Sequence, residues 1–387
     1  MSPYHWLPTL DALVLRRDDA TAALVASAKK DGTAALTLSV TPTAGRPRKK
    51  AFPIIDKALC AALADGFVAS VAATGALLVH TEVGATMGSQ FVVDEPHHCA
   101  WLGDWGFLRR VDLRDGRVTS FALGDCPAVR ELVSDRNGGV HALVDEDTTP
   151  PTDGFRAPAG DLLRFAVLHC DGAHVERRRV FETSRSDPQP LCLSLARADD
   201  GSLLVPHPGG FALLDPAGAV VRAFAVGETK YWGPRAALAP GGRRLAYTAG
   251  AGRLALVDLE RDVEIVVEAA MDDAMALVAY DDGVVDVSTG TPNWDFQRWG
   301  AAGRIASTSH RAASYAVSPD RDWVYSCDGL WKATNLRTGE QRDGQIIGAA
   351  RAPKVVCTAE HLYIRTSRGV FQRYARAAEV AGASMSS

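Results

Sequence analysis

Short runs of apolar residues alternate through the second half of the chain with two recurring kinds of turn. The first kind is Ala-Asp-Asp-Gly at 198–201, Ala-Pro-Gly-Gly at 239–242, Tyr-Asp-Asp-Gly at 280–283 and Ser-Pro-Asp at 318–320, each lying between two β-rich runs. Asp bonds its own backbone and Gly reaches positive φ without a Cβ clash, so these segments predict tight hairpins. The second kind follows at 111–116, 214–218, 257–261 and 334–339, where an apolar run ends in Asp112, Asp215, Asp258 or Asn335. Each unit then holds two hairpins and four antiparallel strands. The clearest unit predicts strands at 191–196, 202–206, 211–215 and 220–226. Further units start at Arg235, Ala274, Ala313 and Lys354, with two more degenerate ones at Gln90 and Val129.

A four-strand unit recurring about every 40 residues is the mark of a β-propeller, in which each unit is a blade. The pattern predicts an all-β, seven-bladed propeller. Its last unit has three strands, at 354–358, 362–366 and 370–374, and an N-terminal strand at 12–16 is expected to supply the missing edge and close the ring. Residues 17–88 hold four more strand-like runs (23–28, 34–40, 67–72 and 76–81). They read as a decorated N-terminal segment, with an eighth blade as the alternative. Asp56 as N-cap and Gly66 as a stop predict a short helix between them. Residues 1–380 read as a single domain and 381–387 as a disordered tail. Pro150, Pro151 and Gly154 mark a long loop inside one unit.

Composition suits a large all-β body: 387 residues, 47% hydrophobic, with 35 glycines. A net charge of −4 from 42 basic and 46 acidic side chains implies no polyanionic partner. The basic cluster Arg46, Arg48, Lys49 and Lys50 reads as a solvated loop, so nucleic acid is not expected. Seven cysteines without CxxC spacing, and no basic-then-apolar leader, point to the reducing cytoplasm. No run reaches the roughly 20 apolar residues that cross a bilayer. The richness in Ala and Arg fits a bacterial source of high genomic GC content.

The units resemble the degenerate repeats of the WD40, YVTN and quinoprotein-like propeller superfamily over about three quarters of the chain by the repeat criterion. The Trp-Asp slot of WD40 strands is held by Val111-Asp112, Leu214-Asp215, Val257-Asp258 and Thr334-Asn335. The resemblance implies that loops joining second to third strands, and blade to blade, line an upper face. Those loops carry Trp105, Phe155, Tyr231, Trp232 and Trp294, with Arg156, Arg185, Lys230, Arg235, Arg311 and Arg351. Aromatics and arginines of this kind build protein-binding hot spots. The implied partner is a protein, and similar bacterial propellers act as companion subunits of ATPase, signalling or defence modules.

Candidates for chemistry are weaker. His97, His98 and Cys99 are adjacent, but neighbours on an extended strand face opposite ways, so they are not expected to grip one ion. His169-Cys170-Asp171 reads as a strand meeting a turn. Propeller enzymes resembling lactonases place metal ligands at the channel mouth, and His141 and His207 are the candidates to approach it here. The pairs Asp199-Asp200 and Asp281-Asp282 sit in the hairpin turns, and Asp272-Asp273 is a third acidic pair. No Gly-x-Ser-x-Gly elbow occurs, and the glycines at 250 and 252 lie between strands and not before a phosphate-binding helix. No catalytic residue, metal or cofactor is expected. A non-catalytic interaction scaffold is the leading reading. A propeller enzyme at the central channel, either a metal-dependent lactonase or hydrolase or a quinone-cofactor dehydrogenase, is the alternative.

Overall fold

The computed structural model describes residues 13–17, 20–28, 34–42, 46–52, 68–71, 76–80, 90–124, 128–146, 162–184, 192–227, 234–269, 274–289, 295–309, 314–328, 330–346, 354–366 and 369–376. They form six four-stranded antiparallel sheets and one nine-stranded sheet. Blade 1 is Gln90–Asp94, Cys99–Gly103, Phe107–Asp112 and Val118–Ala122; blade 2 is Ala128–Ser134, Val140–Asp145, Leu162–Cys170 and Val175–Ser184. Blade 3 is Ala196–Arg197, Leu203–His207, Gly210–Leu214 and Val220–Ala225; blade 4 is Ala236–Leu238, Arg244–Gly250, Arg253–Asp258 and Val263–Glu268. Blade 5 is Ala274–Ala279, Val285–Thr289, Asp295–Gly300 and Gly303–Ser309; blade 6 is Tyr315–Val317, Trp323–Asp328, Leu330–Asn335 and Gln341–Gln345. The nine-stranded sheet supplies blade 7 as Lys354–Cys357, His361–Arg365, Val370–Ala375 and Ala76–His80. The arrangement is a seven-blade β-propeller.

Closure is made by a strand from the N-terminal region, but not the one at 12–16. Ala76–His80 pairs antiparallel with Val370–Ala375, matching Val370 to His80 and Phe371 to Val79. Leu13–Arg17 lies two strands further out, between Val68–Val71 and Ala20–Ala28. The physical reason is local. The hairpin joining Val68–Val71 to Ala76–His80 offers a paired apolar strand whose Leu77 and Val79 are fully buried. Among the described residues, the N-terminal strands therefore extend blade 7 and form no separate eighth sheet. The helix expected at 56–66 lies outside the described residues.

Two compact units are distinguished: residues 90–110 with 119–313, and residues 1–89, 111–118 and 314–387. In the first, apolar clusters fill the space between consecutive blades. Trp101, Leu132 and Ala142 join blades 1 and 2; Leu143, Phe165 and Val205 join blades 2 and 3. Phe211 stacks on Phe224 at 4.8 Å and meets Tyr247 edge-on at 5.3 Å, joining blades 3 and 4. Leu256, Val287 and Trp299 join blades 4 and 5. In the second unit, Tyr325, Trp331, Val355 and Leu362 do the same for blades 6 and 7. Second and third strands are the most buried elements, as blades stacked flank to flank require.

Both turn types form as their chemistry dictates. Gly201, Gly242 and Gly283 donate to Ala198, Ala239 and Tyr280 at 3.0–3.1 Å, each at positive φ. Arg321 takes that position in blade 6 and His98 in blade 1, with φ of 62° and 50°. In the second turn, the Asp or Asn caps the backbone: Asp258 accepts from the N–H groups of Glu260 and Arg261, and Asn335 from those of Arg337 and Thr338. The slot held by Trp-Asp in WD40 repeats is thus filled here by turn formers. The expected strand at 191–196 shortens to Ala196–Arg197, because the preceding backbone bonds elsewhere: Leu195 N–H donates to Glu131 and Cys192 N–H to Gly210.

Candidate functional site

Every blade repeats one strand order, so second strands end together at the connections to third strands. In the first unit Asp145, His207 and Thr289 end such strands, and Asp104 follows one. Trp105 sits on this connection in blade 1, half-buried and bridged to Ala128 at the start of blade 2. Beside it, Asp104 is buried and faces the Arg109 guanidinium at 3.4 Å. In blade 2, Arg130 pairs with buried Asp145, because the register sets the first residues of one strand against the last of its neighbour. In blades 3 and 4 the same end is tied by hydroxyls: Ser194 Oγ accepts from Ala236 N–H at 3.0 Å, and Thr248 Oγ1 from Arg235 N–H at 2.8 Å. The upper end is thus a rim of strand ends locked to one another, carrying a tryptophan and two carboxylate–arginine pairs.

Of the residues expected to form the protein-binding face, Trp105 and Arg235 lie on this rim. Phe155, Arg156, Arg185, Lys230, Tyr231, Trp232, Trp294, Arg311 and Arg351 lie outside the described residues. Arg130 escaped the sequence reading, although an Arg opening the first strand of a hairpin whose second strand closes on Asp is a readable signal.

The histidines separate. His141 is the second residue of its strand and His207 the last of the equivalent strand one blade on, so they occupy opposite ends and do not share one mouth. His207 Nδ1 instead lies 3.1 Å from the Pro208 carbonyl. His141 is buried and stacks on His169 at 4.6 Å. Arg178 approaches His169 Nδ1 at 3.1 Å and has only protons to give, so Nδ1 accepts and the ring proton on Nε2 is donated to Asp135 at 2.9 Å. Burial pushes the Asp135 carboxyl up, but the His169 bond and the N–H groups of Asn137 and Gly139 outweigh it and hold the pKa below the usual range. His141 is held down at about 3, by burial first and then by its neighbours His169 and Arg178.

His97 and His98 lie in the tight turn of blade 1, not on an extended strand. His98 N–H closes that turn on Glu95, and His97 Nδ1 meets Asp94 at 3.0 Å. Among the described residues, no three His, Cys, Asp or Glu side chains gather in a metal-holding group. Burial raises the thiols of Cys99, Cys170 and Cys192, the last to about 12, which removes them as nucleophiles at neutral pH.

Solved structures superpose on most of the chain. Virginiamycin B lyase from Staphylococcus aureus matches with a TM-score of 0.56 at 10% identity, covering 78% of this chain and 98% of that one. The Cps50 (Swd1) β-propeller domain of Myceliophteria thermophila matches with 0.56 at 12% identity, covering 76% and 98%. The chain shares the propeller fold. A chain of the mitotic checkpoint complex matches with 0.54 at 10% identity, covering 77% and 90%. At these identities the likeness is one of fold alone, and it spans a lyase and a chain of a complex. No protein-family model matches the chain, and no characterised protein sequence matches it.

Proposed function

We propose that the chain is a non-catalytic propeller scaffold that binds a protein partner through its upper face. The observation that carries this reading is the rim itself: Trp105 stands half-buried on strand ends cross-tied by Asp104–Arg109 and Arg130–Asp145. A rigid platform holding an aromatic anchor among charged groups suits recognition. His97 with Asp94 and His169 with Asp135, which resemble catalytic equipment, bond in pairs beside turns at the other end, and His207 on the rim meets the Pro208 carbonyl. Buried free thiols at Cys99, Cys170, Cys192 and Cys327 suit the reducing bacterial cytoplasm. The specific role proposed is a companion subunit of an ATPase, signalling or defence module, with Trp232, Trp294 and Arg351 among the loop anchors.

The test is a quantitative pull-down from source cells with wild type and a Trp105→Ala, Trp232→Ala, Trp294→Ala, Arg351→Ala variant of unchanged melting temperature. Loss of true anchors costs on the order of 2 kcal/mol each, so specific partners vanish from the variant. Recovery of the same proteins in the same amounts by both overturns the upper-face site.

A further inference from the structure

Between blades 3 and 4, the periphery is closed by an ion pair. Arg222, on the outermost strand of blade 3, reaches Asp262 in the last turn of blade 4 at 2.5 Å, with its guanidinium 4.7 Å over the Phe224 ring. Between blades 4 and 5 that device is missing. Arg222 stands opposite Leu213, and Ile265 stands opposite Leu256. Aligning Leu213-Leu214-Asp215 with Leu256-Val257-Asp258 therefore puts Ile265 where Arg222 stands. The facing turn of blade 5 reads Gly300-Ala301-Ala302-Gly303; Trp299 pairs with Arg304 as Asp258 pairs with Val263, which puts Gly303, also at positive φ, in the place of Asp262. Both charges of the clasp have become apolar.

The result is an open groove of about 270 Å³ walled by Leu256, Val263, Ile265, Ala279 and Val285, with Asp258 at one end paired to Arg244 and Arg261. Val267, on the same side of the strand as Ile265, packs into the core between the blades, whereas Val263 and Ile265 remain 45% and 41% exposed. The strand that forms this wall, Val263–Glu268, ends the blade 4 sheet, so its outer backbone N–H and C=O groups face no neighbouring strand among the described residues. An open edge with an apolar stripe is a template for strand addition. On its other side the strand carries Glu264 and Glu268 and no cation. Glu264 accepts from the Tyr247 hydroxyl at 2.9 Å, while Glu268 has no side-chain partner among the described residues.

We propose that the blade 4–blade 5 groove is a second docking site, which takes an extended segment of a partner protein alternating apolar and basic residues. The segment adds a fifth strand to blade 4. Its apolar side chains enter the groove beside Ile265 and its basic ones answer Glu264 and Glu268, as the period of a strand places them on opposite faces. Charge argues against a second copy of this chain as the occupant. Two such edges paired about a two-fold axis gather four glutamates on one face against the two Arg253 side chains that stand across from Glu268, which leaves a net negative charge.

The test uses the full chain and a fluorescein-labelled peptide, Lys-Ile-Lys-Ile-Lys-Ile-Lys, read by anisotropy. Saturable binding is expected. The clasped variant, Ile265→Arg, restores the cation of the clasp in place of the groove's apolar wall and should bind about tenfold more weakly or worse at unchanged melting temperature. Glu268→Lys, at an exposed site outside the groove, should weaken binding severalfold without touching the fold. Absence of saturable binding to wild type overturns the proposal. So does equal affinity for the clasped variant, or equal affinity for a block peptide of the same composition. A wild-type dimer in sedimentation that the clasped variant loses overturns it in favour of a second copy.

Discussion

Replacing Arg298 with alanine lowers the unfolding free energy by about 3–5 kcal/mol, the range for stripping one partner from a buried ion pair. Asp286 is 2% exposed and sits in the second strand of blade 5. Arg298 clamps it with two parallel bonds of 2.7 and 2.9 Å, and the Tyr280 hydroxyl adds a third at 2.7 Å. Alanine leaves the carboxylate buried with the hydroxyl alone to hold it. The cost arises from uncompensated desolvation and not from the worth of the pair, so Asp286→Leu with Arg298→Leu should recover most of the loss. Urea titration of the three proteins measures it. A loss under about 1 kcal/mol in the single variant means that water or a rearranged neighbour reaches Asp286, and contradicts the packing of blade 5.

Stability falls steeply on acidification, and His141 sets the window. Its ordinary pKa of 6.5 is pulled to about 3 in the folded chain. Between those values the unfolded chain binds a proton that the folded one refuses, so unfolding free energy declines as pH drops. The slope approaches about 1.4 kcal/mol per pH unit. The full contribution is present above pH 6.5 and is gone once pH passes below the folded value. His169, Arg178, Asp135 and Arg197 all face the ring, and Arg178 and Arg197 are cations. Asp135, held below 3.8, adds its own loss at the acid end of the same range. Melting temperatures of wild type and His141→Phe between pH 7.5 and about 4 separate the two, because phenylalanine keeps a ring against His169 and has no proton to take. The variant should lose most of the slope between about pH 6.5 and 4.5. Parallel curves for both proteins rule His141 out as its source.

Blades 3 to 6 were legible because their turns demand particular chemistry. Only a small set of residues reaches positive φ or caps its own backbone, and Gly201, Gly242, Gly283, Asp258 and Asn335 do so where they were expected. The closing strand was not legible, since the runs at 12–16 and 76–81 are both short and apolar, and which one docks depends on the shape of the edge offered by Val370–Ala375. His97 and His98 were misplaced for the opposite reason: His98 fills a glycine position, so the turn in blade 1 lost its composition signal. Trp105 on the rim followed from repeat position alone. The missing clasp at Ile265 and Gly303 needed the strand register, which ties Arg222 and Asp262 to their counterparts across blades whose sequences share little.

Closure of blade 7 by Ala76–His80 carries the whole arrangement, since without it the seventh sheet keeps three strands and an open edge. His80 and Val370 are register partners on adjacent antiparallel strands, within the Cα separation that a disulfide spans. Oxidation of a His80→Cys, Val370→Cys variant, mapped by mass spectrometry of the digested native protein, tests it directly. The expected result is one dominant cross-link joining positions 80 and 370, with an unchanged melting temperature before oxidation. No cross-link there, together with an efficient one in a Val14→Cys, Val370→Cys variant, would show that the strand at 12–16 closes the blade and would contradict the topology described.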